Sequence, residues 1–318
     1  MKKILISIFI ILLLLNLSGC GDTNNSDTSG DDKVILQTID LLSKVNSYEL
    51  TTRRVESTAF GEKQLISQTI TEQKFQFEPF VSWTRTDSTS ARIDGSQHRS
   101  LREMYQVLND DQLDFYIRYS PSEVSATGNE LVLSEWEKIS TVPKEQTDWF
   151  IDSMRNYFDA QLYLLSSNID TFELVENDES KDEDILQYDG YLEQTTVLEA
   201  YQKYIRNTYV KGNMLADTKD MSLEDLKNEI IDGDLLEIKA GIPKLVYSEK
   251  PVPISLWIDK STFELKKVTV DETLVMQAYM EKELPKANLD PDETVVDNAL
   301  LIYEIKNLDN LKEIPMPD

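Results

Sequence analysis

Apolar residues recur at Ile35, Ile39, Leu42 and Val45, a spacing of three and four that puts them on one face of a predicted helix over residues 34–45. Asp31 or Asp32 is placed to cap its start. From Tyr48 the period changes to two. The segments YELTTRRVESTAF, KQLISQTITEQKFQF and FVSWTRTDSTSARI are rich in Thr, Val, Ile and Phe and are separated by short polar breaks, which predicts strands. Asp94-Gly95 supplies the positive φ values of a tight hairpin. Further strands are expected in SLREMYQVLND and QLDFYIRY, joined through Asn109-Asp110-Asp111, so residues 48–119 read as an antiparallel meander. An exposed loop over 120–129 then leads to a strand in LVLSEWEKI.

Pro143 opens a second helical stretch, where Phe150, Met154, Tyr157, Phe158, Leu162 and Leu165 again follow spacings of three and four. Such an aromatic face fits core packing, and it also fits a helix that lies over a sheet and presents rings to a ligand. Residues 172–175 and 185–192 resemble strands. Thr196 to Glu199 has capping-box spacing ahead of Tyr201, Tyr204 and Ile205, and Ser222 to Asp225 offers a similar start to a short helix ending near Gly233. The chain returns to expected strands at ISLWID, ELKKVTV, TLVMQAYM and NALLIYEI. Strands and helices do not alternate regularly, so the class is antiparallel α+β, and with no Gly-rich linker one domain over 33–318 is expected.

The N-terminus changes the picture from fold to location. Lys2 and Lys3 precede a hydrophobic run from Ile4 to Leu15, the layout of a secretory signal, and that run is shorter than the roughly 20 residues a spanning helix needs. Leu17-Ser18-Gly19-Cys20 resembles the bacterial lipobox. The resemblance implies a signal peptide over 1–19, cleavage before Cys20 and diacylglyceryl transfer to its sulfur. Residues 21–32 hold no apolar side chain and read as a flexible tether, so that 20–32 carries the lipid and spaces the domain from the membrane.

Charge excludes some partners. The chain has 32 basic and 58 acidic residues, a formal charge of −26 that becomes −28 when Lys2 and Lys3 leave with the signal. Nucleic acid is not expected as a partner, because phosphate binding draws on cationic side chains. An anionic membrane surface repels such a domain, so the lipid must hold it there. Cys20 is the only cysteine, which excludes an intrachain disulfide.

The lipobox, the polar tether, the SKVNSYEL junction, LVLSEWEKI with Trp136 and Lys138, and the hairpin ISLWIDKSTFELKKVTV together resemble Gram-positive lipoproteins with the architecture of the LolA/LppX carriers. In that hairpin Ile258-Asp259-Lys260 leads into the turn and the strand from Phe263 to Val268 leaves it. The resemblance implies a curved antiparallel half-barrel with helices over its concave face and a cavity for acyl chains. The region over 177–233 is an insertion relative to simpler members.

Candidate chemistry is sparse. His98 is the only histidine, follows a turn and has no Gly-x-Ser-x-Gly elbow to serve. The acidic run from Asp178 to Asp184 lacks the alternating ligands and glycine of an EF-hand loop. No cofactor, metal site or catalytic residue is expected. The expected role is a non-enzymatic, lipid-anchored protein on the extracytoplasmic face of the cell membrane. It would bind or carry a hydrophobic ligand such as a lipid, with Phe150, Met154, Tyr157, Phe158 and Leu162 as candidate contacts. The alternative is a cell-envelope scaffold for protein partners that the sequence does not identify.

Overall fold

The structure, a computed structural model, describes residues 30–91, 96–120, 124–125, 131–175, 184–210, 222–232, 242–285, 294–311, 314 and 317. Cys20 with its leader, most of the tether, the Asp94-Gly95 turn and the acidic run over 178–183 lie outside the described residues. The fold is divided into two compact units. One comprises Met1–Val45 and Trp149–Val270, and the other Asn46–Asp148 and Asp271–Asp318. The antiparallel α+β class expected from the sequence is the class observed.

The second unit is built on long strands: β1 (Ser47–Phe60), β2 (Lys63–Gln76), β3 (Val81–Ala91), β4 (Gln97–Asn109), β5 (Gln112–Tyr119), β6 (Val124–Ser125), β7 (Glu137–Val142) and β12 (Thr294–Lys306). Its sheet runs β7-β5-β4-β3-β2-β1-β12, each pair antiparallel, with β6 beside β4. The tight β4–β5 connection works because Asp110 and Asp111 both adopt positive φ, 45° and 66°, a conformation that short Asp side chains tolerate. The strand expected in LVLSEWEKI begins only at Glu137. The reason is local: the Ser134 amide bonds to the Tyr119 carbonyl at 2.9 Å, its hydroxyl accepts the Tyr119 N–H at 3.2 Å, and Trp136 turns in beside Tyr105.

TLVMQAYM, expected as a strand, is instead α6 (Thr273–Glu283). Asp271 accepts the Thr273 N–H at 3.0 Å and its hydroxyl at 2.6 Å, which starts the helix, and Met276 then packs with Val296 and Ala299 of β12. Leu, Met, Gln and Ala are good helix formers, so tertiary contact and propensity agree against the short apolar run.

The first unit holds α1 (Gly30–Leu42), α2 (Lys144–Ser167, from Trp149 on), a 3-10 turn (Ile169–Thr171), β8 (Glu173–Leu174), β9 (Ile185–Leu192), α3 (Gln194–Ile205) with a π-helical turn (Arg206–Val210), α4 (Leu223–Asp232), α5 (Ile242–Leu245), β10 (Val252–Asp259) and β11 (Leu265–Asp271). β11, β10, β9 and β8 lie side by side in that order. The β10–β11 turn closes on Asp259, whose carboxylate accepts the N–H groups of Ser261 and Thr262 at 2.9 Å each and the Ser261 hydroxyl at 2.7 Å. Those hydrogen bonds hold its pKa far below the usual carboxylate value.

Two expected caps differ. α1 starts at Gly30, ahead of both Asp31 and Asp32, so neither is at its N-cap position. α3 starts at Gln194, ahead of the Thr196 capping box. Asn168 accepts the Glu193 N–H there, and the Gln194 side chain donates to the Val246 and Ser248 carbonyls, so tertiary bonds set that helix start. The Ser222 cap of α4 is realised: its hydroxyl accepts the Asp225 N–H at 3.1 Å.

Candidate functional site

Residues directly opposite each other on antiparallel strands point to the same side of a sheet, and alternate residues along each strand follow them. The register of the second unit therefore sorts its side chains into two faces. One carries the row Ile305, Leu50, Gln73, Thr84, Met104 and Ile117. The other carries Arg85, Glu103 and Arg118.

The Gln73 face changes character along the strands. At one end Tyr48 and Phe75 stack at 5.5 Å, and Phe75 meets Phe77 and Phe80 edge-on at 4.4 and 5.4 Å. All four rings are buried. Full burial of each is worth about 1.5–3 kcal/mol, which makes this end a strong apolar nucleus. Two buried glutamines on this face, Gln106 in the row of Phe75 and Gln73 in the next row, have different fates. Gln106 accepts the Ser82 hydroxyl at 3.0 Å and directs its amide N–H toward the Met104 sulfur at 3.8 Å. Gln73, only 2% exposed, has no hydrogen-bond partner for Oε1 or Nε2 among the described residues.

One row further on, Thr52, Thr71, Thr86 and Arg102 face the same way. Arg102 is half-buried, and no carboxylate pairs with it among the described residues. Its pKa is lowered from the ordinary arginine value by burial. Arg54, on the same face, shows the opposite behaviour. It contacts Glu56 and Glu272 at 2.5 Å each. Burial depresses its pKa, but the carboxylates of Glu272 and Glu56 outweigh that effect and leave it raised. Glu272 sits just ahead of α6, so the helix completes the Arg54 cluster.

On the Glu103 face both enclosed carboxylates are paired, while the buried Tyr105 hydroxyl has no hydrogen-bond partner among the described residues. Glu103, 2% exposed, takes two hydrogen bonds from Arg118 at 2.7 and 2.9 Å, one from the Trp83 indole at 3.4 Å, and an ion pair from Arg85 at 3.5 Å. The Arg118 guanidinium lies 4.6 Å over the Trp136 ring. Asp114 receives Lys138 at 2.7 Å, Thr141 at 2.7 Å and Asn109 at 3.1 Å. Burial raises the Asp114 pKa, but the bonds from Lys138, Thr141 and Asn109 lower it more. Around Glu103 and Asp114 the network is satisfied, the arrangement that holds a sheet together.

The helical candidates belong to the first unit. Phe150, Met154, Phe158 and Leu162 of α2 are buried, and Tyr157 is half-buried with its ring edge-on to Tyr204 at 5.3 Å. Trp149 donates to the Thr208 carbonyl at 2.9 Å and Asn156 to the Asn207 carbonyl at 3.2 Å, tying α2 to the π-helical turn. Asp159 of α2 keeps one carboxylate oxygen enclosed and without a hydrogen-bond partner among the described residues. Burial raises its pKa from 3.8 to about 6, against the pull of Lys203 and Arg155.

Gln73 and Arg102 were not singled out from the sequence. Their signal was present as alternation, Thr71-Gln73-Phe75 on one strand and Arg102-Met104-Gln106 on another, but only the register brings the two sets to one face. Among the described residues no group of three His, Cys, Asp or Glu is placed to hold a metal ion. No helix among them is long and apolar enough to cross a membrane.

No protein-family model matches the chain, and no curated protein does. Among solved structures, the crystal structure of LprF from Mycobacterium bovis aligns over 92% of this chain and 99% of that one, with 10% sequence identity and a TM-score of 0.36.

Proposed function

We propose that this is a lipid-anchored extracytoplasmic protein that binds a hydrophobic ligand and catalyses no reaction. Acylation at Cys20 would hold it at the membrane, and the second unit's Gln73 face would take the ligand. The observation that carries the reading is the Gln73 amide. An amide enclosed with neither of its polar atoms paired costs about 1–3 kcal/mol, and a native fold keeps such a group where it has a use. Its neighbours on the same face, Leu50, Phe75 and Met104, are apolar and buried. A polar ligand atom at the height of Gln73 would satisfy the amide, and the ligand's apolar body would take the place of what now encloses Leu50, Phe75 and Met104. The α2 residues Phe150, Met154, Tyr157, Phe158 and Leu162 belong to the first unit and remain separate candidates for contact with an apolar chain.

Two measurements test this. Labelling with radioactive palmitate should be lost on Cys20→Ser, and retention of label by that variant would reject the anchor. Native mass spectrometry of the mature protein taken from membranes should show a co-purifying species of lipid mass. A ligand-free spectrum under conditions that keep other lipid carriers loaded would reject the binding role.

A further inference from the structure

The first unit holds a helix seam with an ionisable group at its centre. Asn156, Asp159 and Tyr163 are spaced three and four apart and so lie on one face of α2. α3 and the π-helical turn that follows it meet that face in reverse order. The Asn156 side chain donates to the Asn207 carbonyl at 3.2 Å, and the Tyr163 hydroxyl donates to Glu199 at 3.0 Å. Glu199, Lys203 and Asn207 follow a spacing of four, so the two pinned ends of the seam place Lys203 opposite Asp159.

Lys203 does not close that pair. Its ammonium lies 4.6 Å over the Tyr163 ring, and one Asp159 carboxylate oxygen is enclosed with no hydrogen-bond partner among the described residues. A carboxylate whose oxygen has lost water without gaining a donor is held at a cost that its neutral form largely avoids. The charged groups that bear on it are Lys203 from α3 and Arg155 from one turn back on α2. They offset burial only in part, which leaves the Asp159 pKa raised to about 6. Glu199, the carboxylate of α3, is engaged by Tyr163.

We propose that the α2–α3 seam is a proton-operated latch, in which protonated Asp159 lets the two helices close on each other and ionised Asp159 loosens them. The proton comes from and returns to water. In the closed seam the neutral carboxyl sits between the Asn156–Asn207 and Tyr163–Glu199 bonds and needs no counter-charge. Loss of the proton puts a charge there, which local opening relieves by admitting water. Opening also parts the Tyr157 and Tyr204 rings, which meet edge-on at 5.3 Å in the closed seam. Because the closed state holds the proton up to about pH 6 and an open carboxyl releases it near 3.8, closure is favoured as pH falls through 6. Above that value the penalty is complete.

The test is hydrogen–deuterium exchange of the mature chain, with Cys20→Ser so that it carries no acyl group. Exchange is read by mass spectrometry between about pH 5 and pH 7.5, with times scaled to the intrinsic exchange rate. Protection of peptides from α2 and α3 should fall about tenfold across this range, the change that linkage gives for one proton held only by the closed state. β10, in the same unit, should keep its protection and serves as the folding control for every variant. Asp159→Asn should remove the pH dependence and hold the seam at its acid-side protection. Lys203→Met withdraws an attraction that lowers the Asp159 pKa, so it should move the midpoint to higher pH. Protection that is flat with pH in the parent chain, a pH dependence that survives Asp159→Asn, or a midpoint that Lys203→Met lowers would each overturn the latch. A fall shared equally by β10 would overturn it too, by showing loss of the whole unit in place of an opening seam.

Discussion

The two faces of one sheet treat charge in opposite ways. On one, Glu103 and Asp114 are enclosed and every oxygen that matters is met by Arg118, Arg85, Trp83, Lys138, Thr141 or Asn109. On the other, Gln73 is enclosed and unmet, and Arg102 is half-enclosed and unpaired among the described residues. The strands, their composition and their register are common to both. What differs at these positions is that Glu103 and Asp114 find partners within the chain whereas Gln73 finds none among the described residues. Complete pairing earns specificity of structure, whereas incomplete pairing leaves a site.

The largest effect expected from breaking this contrast comes from the aromatic end. Phe75→Ala removes a buried ring that touches Tyr48, Phe77 and Phe80 and should cost about 3–5 kcal/mol in urea unfolding. A cost under 1 kcal/mol would mean that the rings are not a packed nucleus. Glu103→Gln comes next. It strands Arg118 and Arg85 beside a neutral amide and should destabilise by about 3 kcal/mol, and the same change at exposed Glu137 should do nothing measurable.

Smaller effects sharpen the contrast. Gln73→Leu replaces an unmet amide with a side chain of similar size, and it should raise the stability of the ligand-free protein by about 1 kcal/mol. Destabilisation in that assay would show that Gln73 has a partner after all. Asp159 in the first unit offers the same logic for a carboxylate. Its folded pKa of about 6 lies above its ordinary 3.8, so the folded state binds the extra proton between these values. Stability should therefore rise as pH falls through 6 toward 4, and the penalty of the charged form should be fully present above 6. Asp159→Asn should stabilise by about 1 kcal/mol at pH 8, after allowance for partial solvent screening, with the gain fading below pH 4. A pH-independent gain would assign the effect to something other than ionisation.

Much of this was legible from residue patterning. Alternation over 48–119 placed five strands and the Asp110-Asp111 turn, because a half-buried strand imposes period two regardless of what it pairs with. TLVMQAYM was not legible, since a run of eight mixed apolar residues suits either element until Asp271 caps it and β12 offers Ala299. Trp136 was placed on a strand because nothing in LVLSEWEKI shows that Ser134 would tie back to Tyr119. The aromatic positions of α2 were legible as one helix face, but that Gln73 and Arg102 share a face was out of reach. Each residue's face is encoded in its own strand, and whether two such faces coincide depends on a register set by turns and packing across 30 residues of chain.

The most direct measurement is on the Gln73 side-chain amide itself, observed by NMR in the mature protein before and after removal of the co-purifying lipid. Its two N–H resonances should shift on removal and lose protection from hydrogen exchange. Resonances that stay in place while the lipid is removed would contradict the assignment of this face as the site.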